Sequence, residues 1–163
     1  MAFWNSPKTD PLRKFQFYVS LGDSPLYDVK SVTLPSYEIQ VEEYQLGNFM
    51  FKFPAIDTWT ECSVRVVIPD TSTLKLWLET AAASGGHLPS NSPENSFGVK
   101  SKKGVNKKID IVATDSAGEK KITWKLKNTI IKSVSYGDLD YSSDELLEVD
   151  FTIAYDWCDV EIN

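Results

Sequence analysis

The amino-acid sequence predicts a mainly β protein, an antiparallel β-sandwich or barrel with one flanking α-helix. Three observations support this fold class. Apolar residues recur at every second position through most of the chain, which is typical of half-buried strands. Turn signals rich in Gly, Pro, Asn and Asp separate these segments at short intervals. Only one segment, beginning near Thr71, changes to the spacing of a helix.

Eight or nine segments of the chain show the alternation of a strand. The principal predicted strands cover residues 14–21, 27–34, 37–44, 62–68, 107–114, 120–127, 129–136 and 145–157. The last one is long for a strand, and a strand that crosses a shared assembly would have this length. Many strands with a single helix indicate a sandwich or barrel that the helix covers.

The predicted helix carries an apolar stripe at positions i, i+3, i+4 and i+7. Its members are Leu74, Trp77, Leu78 and Ala81. Thr71 or Ser72 is the expected N-cap, and Gly85-Gly86 follows the helix. We expect the stripe to cover one end or edge of a sheet.

The 163 residues fit one domain with enough length to bury a core. We divide the chain into an extended N-terminal arm at residues 1–13 and a single β domain at residues 14–163. The aromatic residues Phe3 and Trp4 of the arm need burial, either on the arm's own domain or on a neighbouring subunit. Residues 87–106 form a long polar loop, and loops of this length are usually functional or mobile.

A second aromatic segment runs from Tyr44 to Pro54. Phe49, Phe51 and Phe53 alternate with polar or flexible residues, so they share one face of an extended piece. Three such side chains exceed what a surface loop can leave in water. The segment is therefore either a hairpin arm of the core or an arm that docks on another subunit.

The sequence contains no recognisable catalytic, cofactor-binding or metal-binding set. We find no nucleophile elbow, phosphate-binding glycine loop or paired CxxC, and the single histidine removes most general-base schemes. Glu42 and Glu43 are adjacent in a strand, so they point to opposite faces. The stretch from Asp138 begins like a calcium loop, but Ser143 and Val149 occupy positions that require Gly and Glu. We therefore expect a protein that is not an enzyme.

The chain has a net charge of −6 and a pI of about 4.8. This balance disfavours a protein that grips nucleic acid by its phosphates. It suits either solubility or a surface past which nucleic acid moves without adhering. Neither a signal peptide nor a membrane-spanning segment is evident, so we expect a soluble intracellular product.

The two cysteines, Cys62 and Cys158, are too few for a disulfide scaffold. We expect each to lie in a strand as a small apolar residue. A disulfide between subunits is the alternative.

Two stretches together resemble the tail tube proteins of contractile-tailed phages. The first joins residues 31–35 (Ser-Val-Thr-Leu-Pro), Gly47, Phe53-Pro54 and Trp59 to the alternating strand at residues 62–68. The second is the turn at residues 137–146, Gly-Asp-Leu-Asp-Tyr-Ser-Ser-Asp-Glu-Leu, which leads into the long closing strand and Trp157. The helix, the opening strand and the chain length also match the family.

The resemblance implies hexameric rings that stack into a hollow tube inside a contractile sheath, with strands of every subunit joining a ring-wide barrel. The implied partners are the chain itself, the sheath protein, baseplate and tube-initiator proteins, and a tape-measure protein and genomic DNA in the lumen, without a membrane. The implied location is the virion tail, after synthesis in the host bacterial cytoplasm.

The resemblance also implies that the arm at residues 44–54 contacts the adjacent ring. Our candidates for subunit interfaces are Trp4, Tyr44, Phe49, Phe51 and Trp59.

The sequence is also compatible with three alternative functions. A tube protein of a bacterial contractile injection or secretion system shares the architecture, and so does a tube-initiating baseplate protein. A β-sandwich carbohydrate-binding module would use exposed aromatics such as Trp4 and Trp59.

Overall fold

Alternating burial along the strands builds two antiparallel sheets whose apolar faces pack together. The computed structural model describes residues 11–68, 71–85 and 108–163, so the polar loop at 87–106 and the aromatic residues Phe3 and Trp4 lie outside the described residues. The strands are β1 (Phe17–Leu21), β2 (Ser24–Leu26), β3 (Val29–Val32), β4 (Tyr37–Leu46), β5 (Phe49–Trp59), β6 (Cys62–Val67), β7 (Ile109–Thr114), β8 (Lys120–Lys127), β9 (Ile130–Ser135), β10 (Glu148–Ala154) and β11 (Trp157–Ile162).

The strands form one five-stranded sheet, one four-stranded sheet and a separate two-stranded hairpin. The five-stranded sheet has the order β11-β8-β7-β1-β2, and the four-stranded sheet has the order β3-β6-β10-β9. Within residues 11–68, 71–85 and 108–163, β4 and β5 pair only with each other. Every pairing there is antiparallel and one helix is present, which confirms the predicted mainly β sandwich with one helix.

The core lies between the two larger sheets. Val19, Ile111 and Leu126 enter it from the five-stranded sheet, and Val64 and Phe151 enter it from the four-stranded sheet. All of them are almost completely buried. The removal of this apolar surface from water is the main force that holds the two layers together.

The helix α1 (Thr71–Gly85) packs beside β9, the edge strand of the four-stranded sheet. Trp77 is fully buried and stacks on Phe151, with ring centroids 4.9 Å apart. The prediction that the helix covers an edge of a sheet is confirmed. The helix begins at Thr71, one of the two residues expected as its N-cap.

The first predicted strands differ from the observed ones. Phe15 is 70% exposed and precedes β1, so the alternation begins two residues later than expected. The strand predicted at residues 27–34 is two short strands. β2 pairs with β1 in the five-stranded sheet, whereas β3 pairs with β6 in the four-stranded sheet. The chain must break between them because it crosses from one layer to the other.

The closing strand, predicted at residues 145–157, is also two strands in different sheets. β10 ends at Ala154, and β11 begins at Trp157 beside β8. The break at Asp156 shifts the alternation by one residue, so Cys158 is buried and Trp157 is 45% exposed. An uninterrupted strand would have turned Trp157 toward the core.

Both cysteines lie in strands and are free and buried, as expected for small apolar residues. Burial raises the pKa of the Cys62 thiol, and it raises the pKa of Cys158 to about 11. The structure therefore gives no support to the alternative of a disulfide between subunits.

Replacement of the buried indole tests the role of the helix. Trp77→Ala is expected to lower the free energy of unfolding by about 3–5 kcal/mol, because it opens a cavity against Phe151. Chemical denaturation measures this loss. Ile56→Ala is the control, since Ile56 is 82% exposed and its removal should change stability by less than about 0.5 kcal/mol. A loss below about 1 kcal/mol for Trp77→Ala would contradict the packing described.

The two thiols should resist modification in the folded chain. With a pKa of about 11, about one Cys158 thiol in a thousand is ionised at pH 8, and only the thiolate reacts. We expect Ellman's reagent to label native protein very slowly and to label both cysteines rapidly in guanidinium chloride. Rapid labelling of the native protein would show that at least one thiol is accessible.

Candidate assembly surface

The two-stranded hairpin at residues 37–59, called the hairpin below, projects from the sandwich. β4 and β5 contain 10 and 11 residues, and they are joined by the two-residue turn Gly47-Asn48. Gly47 has a φ of 62°, a conformation that favours glycine and suits the first position of a tight hairpin turn. At about 3.4 Å per residue, the hairpin is roughly 34 Å long. It extends well beyond the predicted arm at residues 44–54.

The register of the hairpin places its largest apolar side chains on one face. Leu46 lies opposite Phe49, Tyr44 lies opposite Phe51, and Glu42 lies opposite Phe53. Residues directly opposite in an antiparallel pair share a face. The resulting surface, called the apolar face below, consists of Tyr44, Leu46, Phe49, Phe51 and Phe53.

All five residues of the apolar face are exposed to solvent. Phe49 is 72% exposed, although it is one of the largest apolar side chains of the hairpin. The opposite face is more polar and includes the ion pair between Lys52 and Glu43, at 3.1 Å. A two-stranded hairpin that packs on nothing else is marginally stable in water. The apolar face therefore has the composition of an interface.

Aromatic contacts hold the root of the hairpin on the sandwich. The ring of Trp59 lies 4.9 Å from that of Tyr37 and 5.9 Å from that of Tyr155, measured between centroids. The hydroxyl groups of Ser36 and Thr60 are 2.6 Å apart just beyond the first and last residues of the hairpin. These contacts fix the direction in which the hairpin leaves the core.

The predicted interface candidates fall into three groups. Tyr44, Phe49 and Phe51 come together on the apolar face. Trp59 lies away from them, half-buried at the root against its own chain. Trp4 lies outside the described residues. Sequence reasoning missed Leu46, which the register set by the Gly47-Asn48 turn places opposite Phe49.

A second exposed apolar segment lies at residues 136–147, between β9 and β10. Leu139, Tyr141 and Leu146 are all exposed there. The segment also carries four carboxylates and no basic residue. The Asp140 carboxylate accepts a hydrogen bond from the Ser142 N–H at 2.9 Å, and this bond lowers the Asp140 pKa. Within the described ranges, no group of three or more potential metal ligands is present.

The acidic excess of the chain is concentrated in these two segments. The hairpin contains four carboxylates and one lysine. On the sheets, by contrast, carboxylates pair with bases. Arg65 binds Asp150 through two hydrogen bonds, of 2.7 and 3.1 Å, which lower the Asp150 pKa. Lys125 pairs with Glu161 on the five-stranded sheet.

The carboxylate pair Glu42 and Glu43 does not converge. Glu42 lies on the same side of the hairpin as the apolar face, opposite Phe53, whereas Glu43 binds Lys52 on the other side.

Across the three described stretches of the chain, no helix has the length and apolarity that a membrane span requires.

Comparison with known proteins identifies the family. The model of the T4-like virus tail tube protein gp19 family matches residues 13–158. No curated protein sequence matches the chain significantly.

Solved structures with the same fold come from contractile injection systems. One is a chain of the PVC sheath-tube complex of an extracellular contractile injection system, in the extended state. It is 23% identical, with a TM-score of 0.71 over 94% of this chain and 93% of that chain. Another is a chain of the anti-feeding prophage tube terminating cap. It is 19% identical, with a TM-score of 0.69 over 94% and 93% of the two chains.

These identities show a common fold, and the family match covers nearly the whole chain. The chain therefore belongs to the T4-like virus tail tube protein gp19 family, and it is a tail tube protein.

Proposed function

We propose that this protein forms hexameric rings that stack into the hollow tube inside a contractile sheath, with the hairpin joining one ring to the next. The observation that carries this proposal is the apolar face, which is exposed in the single chain. Its five large side chains are between 46% and 72% exposed, and among the described strands β4 and β5 pair with each other alone.

Burial of the apolar face would favour assembly strongly. Complete burial of one large apolar side chain contributes about 1.5–3 kcal/mol, so even partial burial of five gives a substantial driving force. Contiguous apolar patches of this kind on soluble proteins mark interaction sites. If the apolar face meets a different surface of the next copy, the contact is heterologous and propagates from copy to copy.

Ring closure would satisfy the sheet edges. β2 and β11 are the outer strands of the five-stranded sheet, and β3 and β9 are those of the four-stranded sheet. Unpaired edges invite pairing with other chains, and a closed ring-wide barrel would satisfy such edges. The same closure would create the lumen.

The tube would act as a conduit through which genomic DNA leaves the particle. The net charge of −6 supports a surface that repels phosphates, and the hairpin and the segment at residues 136–147 carry the surplus of carboxylates. Before ejection, a tape-measure protein would occupy the lumen. We further propose the sheath protein and the baseplate and tube-initiator proteins as partners, and the virion tail as the location after synthesis in the host cytoplasm.

Two related functions compete with the phage tube. The fold is shared with a chain of an extracellular contractile injection system, so a tube of such a device has structural support. A chain of the anti-feeding prophage baseplate also shares the fold, with a TM-score of 0.67 at 12% identity, which supports a tube-initiating role. A carbohydrate-binding role lacks this support, because Trp59 packs on Tyr155 and offers no free platform. We also propose that the protein acts as a structural subunit without enzymatic activity.

Electron microscopy tests the proposed assembly. Negative-stain images of concentrated purified protein, with added baseplate initiator where needed, should show six-fold rings or hollow filaments. Particles that remain single subunits even with the initiator would contradict the proposal.

Two serine substitutions on the apolar face should stop stacking. Phe49→Ser together with Phe51→Ser should leave a folded subunit that no longer polymerises, because both side chains are exposed and contribute little to the subunit's own core. Sedimentation measures polymer, and circular dichroism measures folding.

The matched control is Met50→Ser, which changes an exposed residue on the opposite face of the same strand. It should polymerise nearly as the unmodified protein does. Normal tubes from the double variant would exclude the apolar face as the joining element.

A further inference from the structure

An apolar cleft lies between the two sheets at one end of the sandwich. Its volume is about 430 Å³. The walls come from both layers and include Leu34, Ile111, Ala113, Ile122 and Trp124. Leu34 is 46% exposed, so the apolar lining reaches the surface. A cleft of this size admits more than one large apolar side chain.

The rim of the cleft is basic. Arg13 and Lys14 line it, and none of its described lining residues is a carboxylate. The hairpin has the opposite character, with four carboxylates against one lysine. Glu42 lies directly opposite Phe53, beside the apolar face. The cleft and the hairpin are therefore complementary in both apolar character and charge.

The hairpin of the same chain does not fill this cleft. Leu34 precedes the first residue of the hairpin by three positions, so the cleft lies near the hairpin's root. The tip lies at the far end of a strand pair roughly 34 Å long. Leu46 and Phe49 are accordingly exposed at the tip.

We propose that the hairpin tip of one subunit inserts Leu46 and Phe49 into the inter-sheet cleft of a second copy, where Glu42, on the same side of the hairpin, faces Arg13 and Lys14. The inference rests on the proposed function and names the surface that receives the hairpin. The tip and the cleft are different surfaces at the two ends of the hairpin. Each copy can therefore insert its tip into one neighbour and receive the tip of another. The contact repeats head to tail, with a displacement set by the length of the hairpin.

Disulfide trapping tests the contact directly. One preparation carries Asn48→Cys at the tip, and a second carries Leu34→Cys at the cleft. Mixed, assembled and mildly oxidised, they should give a covalent dimer that contains one chain of each kind. Mixing Asn48→Cys with Leu139→Cys is the control and should give none, since Leu139 is exposed but does not line the cleft.

Charge reversal provides a second, independent readout. Arg13→Glu with Lys14→Glu should raise the concentration needed for polymerisation by more than about tenfold, because like charges would then meet at the contact. Glu42→Lys should do the same. Mixing the two variants should restore polymerisation to near the unmodified level.

The outcomes separate this inference from the proposed function. One outcome is that Phe49→Ser with Phe51→Ser abolishes tubes, while no disulfide forms at Leu34→Cys and charge reversal has no effect. This outcome would exclude the cleft as the surface that receives the tip, and it would leave the role of the hairpin in stacking intact. Normal tubes from the Phe49 and Phe51 double variant would remove the stacking role itself. Trapping of Trp4→Cys with Leu34→Cys within one chain of the assembled protein would show that the N-terminal arm occupies the cleft, and it would also overturn the inference.

Discussion

The cross-strand pairing of β4 and β5 is the constraint on which the rest of the account depends. The tight Gly47-Asn48 turn fixes the register, and the register gathers five large apolar side chains on one water-exposed face. A slip by one residue would divide those side chains between two faces. The same pairing places Glu42 beside the aromatic rings, so a partner that binds the apolar face also meets an acidic side chain.

The structure separates folding from assembly. The sandwich has its own core, completed by Trp77 of the helix on Phe151, and Trp59 at the root of the hairpin packs against this core, whereas the apolar face does not belong to it. At the root of the hairpin, Trp59 packs on Tyr155, and this contact fixes the direction of the hairpin. The root is therefore less exposed than the tip. A subunit of this design can remain soluble and folded until another copy covers its apolar face. That order of events suits a polymer that grows from an initiator.

Much of the fold was predictable from local pattern, and the failures have one cause. The alternation in β6 and β8 and the helical stripe at Trp77 appear directly in the sequence. The predicted strands at residues 27–34 and 145–157 failed where the chain changes sheets, because periodicity does not reveal which layer a strand joins. Alternation predicted that Phe49 and Phe51 share one face, and the resemblance to tail tube proteins made them interface candidates. Leu46 could have been found from the Gly47-Asn48 turn, which places it opposite Phe49, whereas the cleft depends on packing between residues that are distant in the sequence.

Hydrogen–deuterium exchange of the hairpin, measured before and after assembly, tests the central claim most directly. The account predicts that the amides of residues 37–59 exchange rapidly in dissociated subunits, whereas the core strands are protected. In assembled tubes the same hairpin amides should become strongly protected, because another copy covers the apolar face. Equal protection in both states, or a hairpin that still exchanges rapidly within intact tubes, would contradict the account.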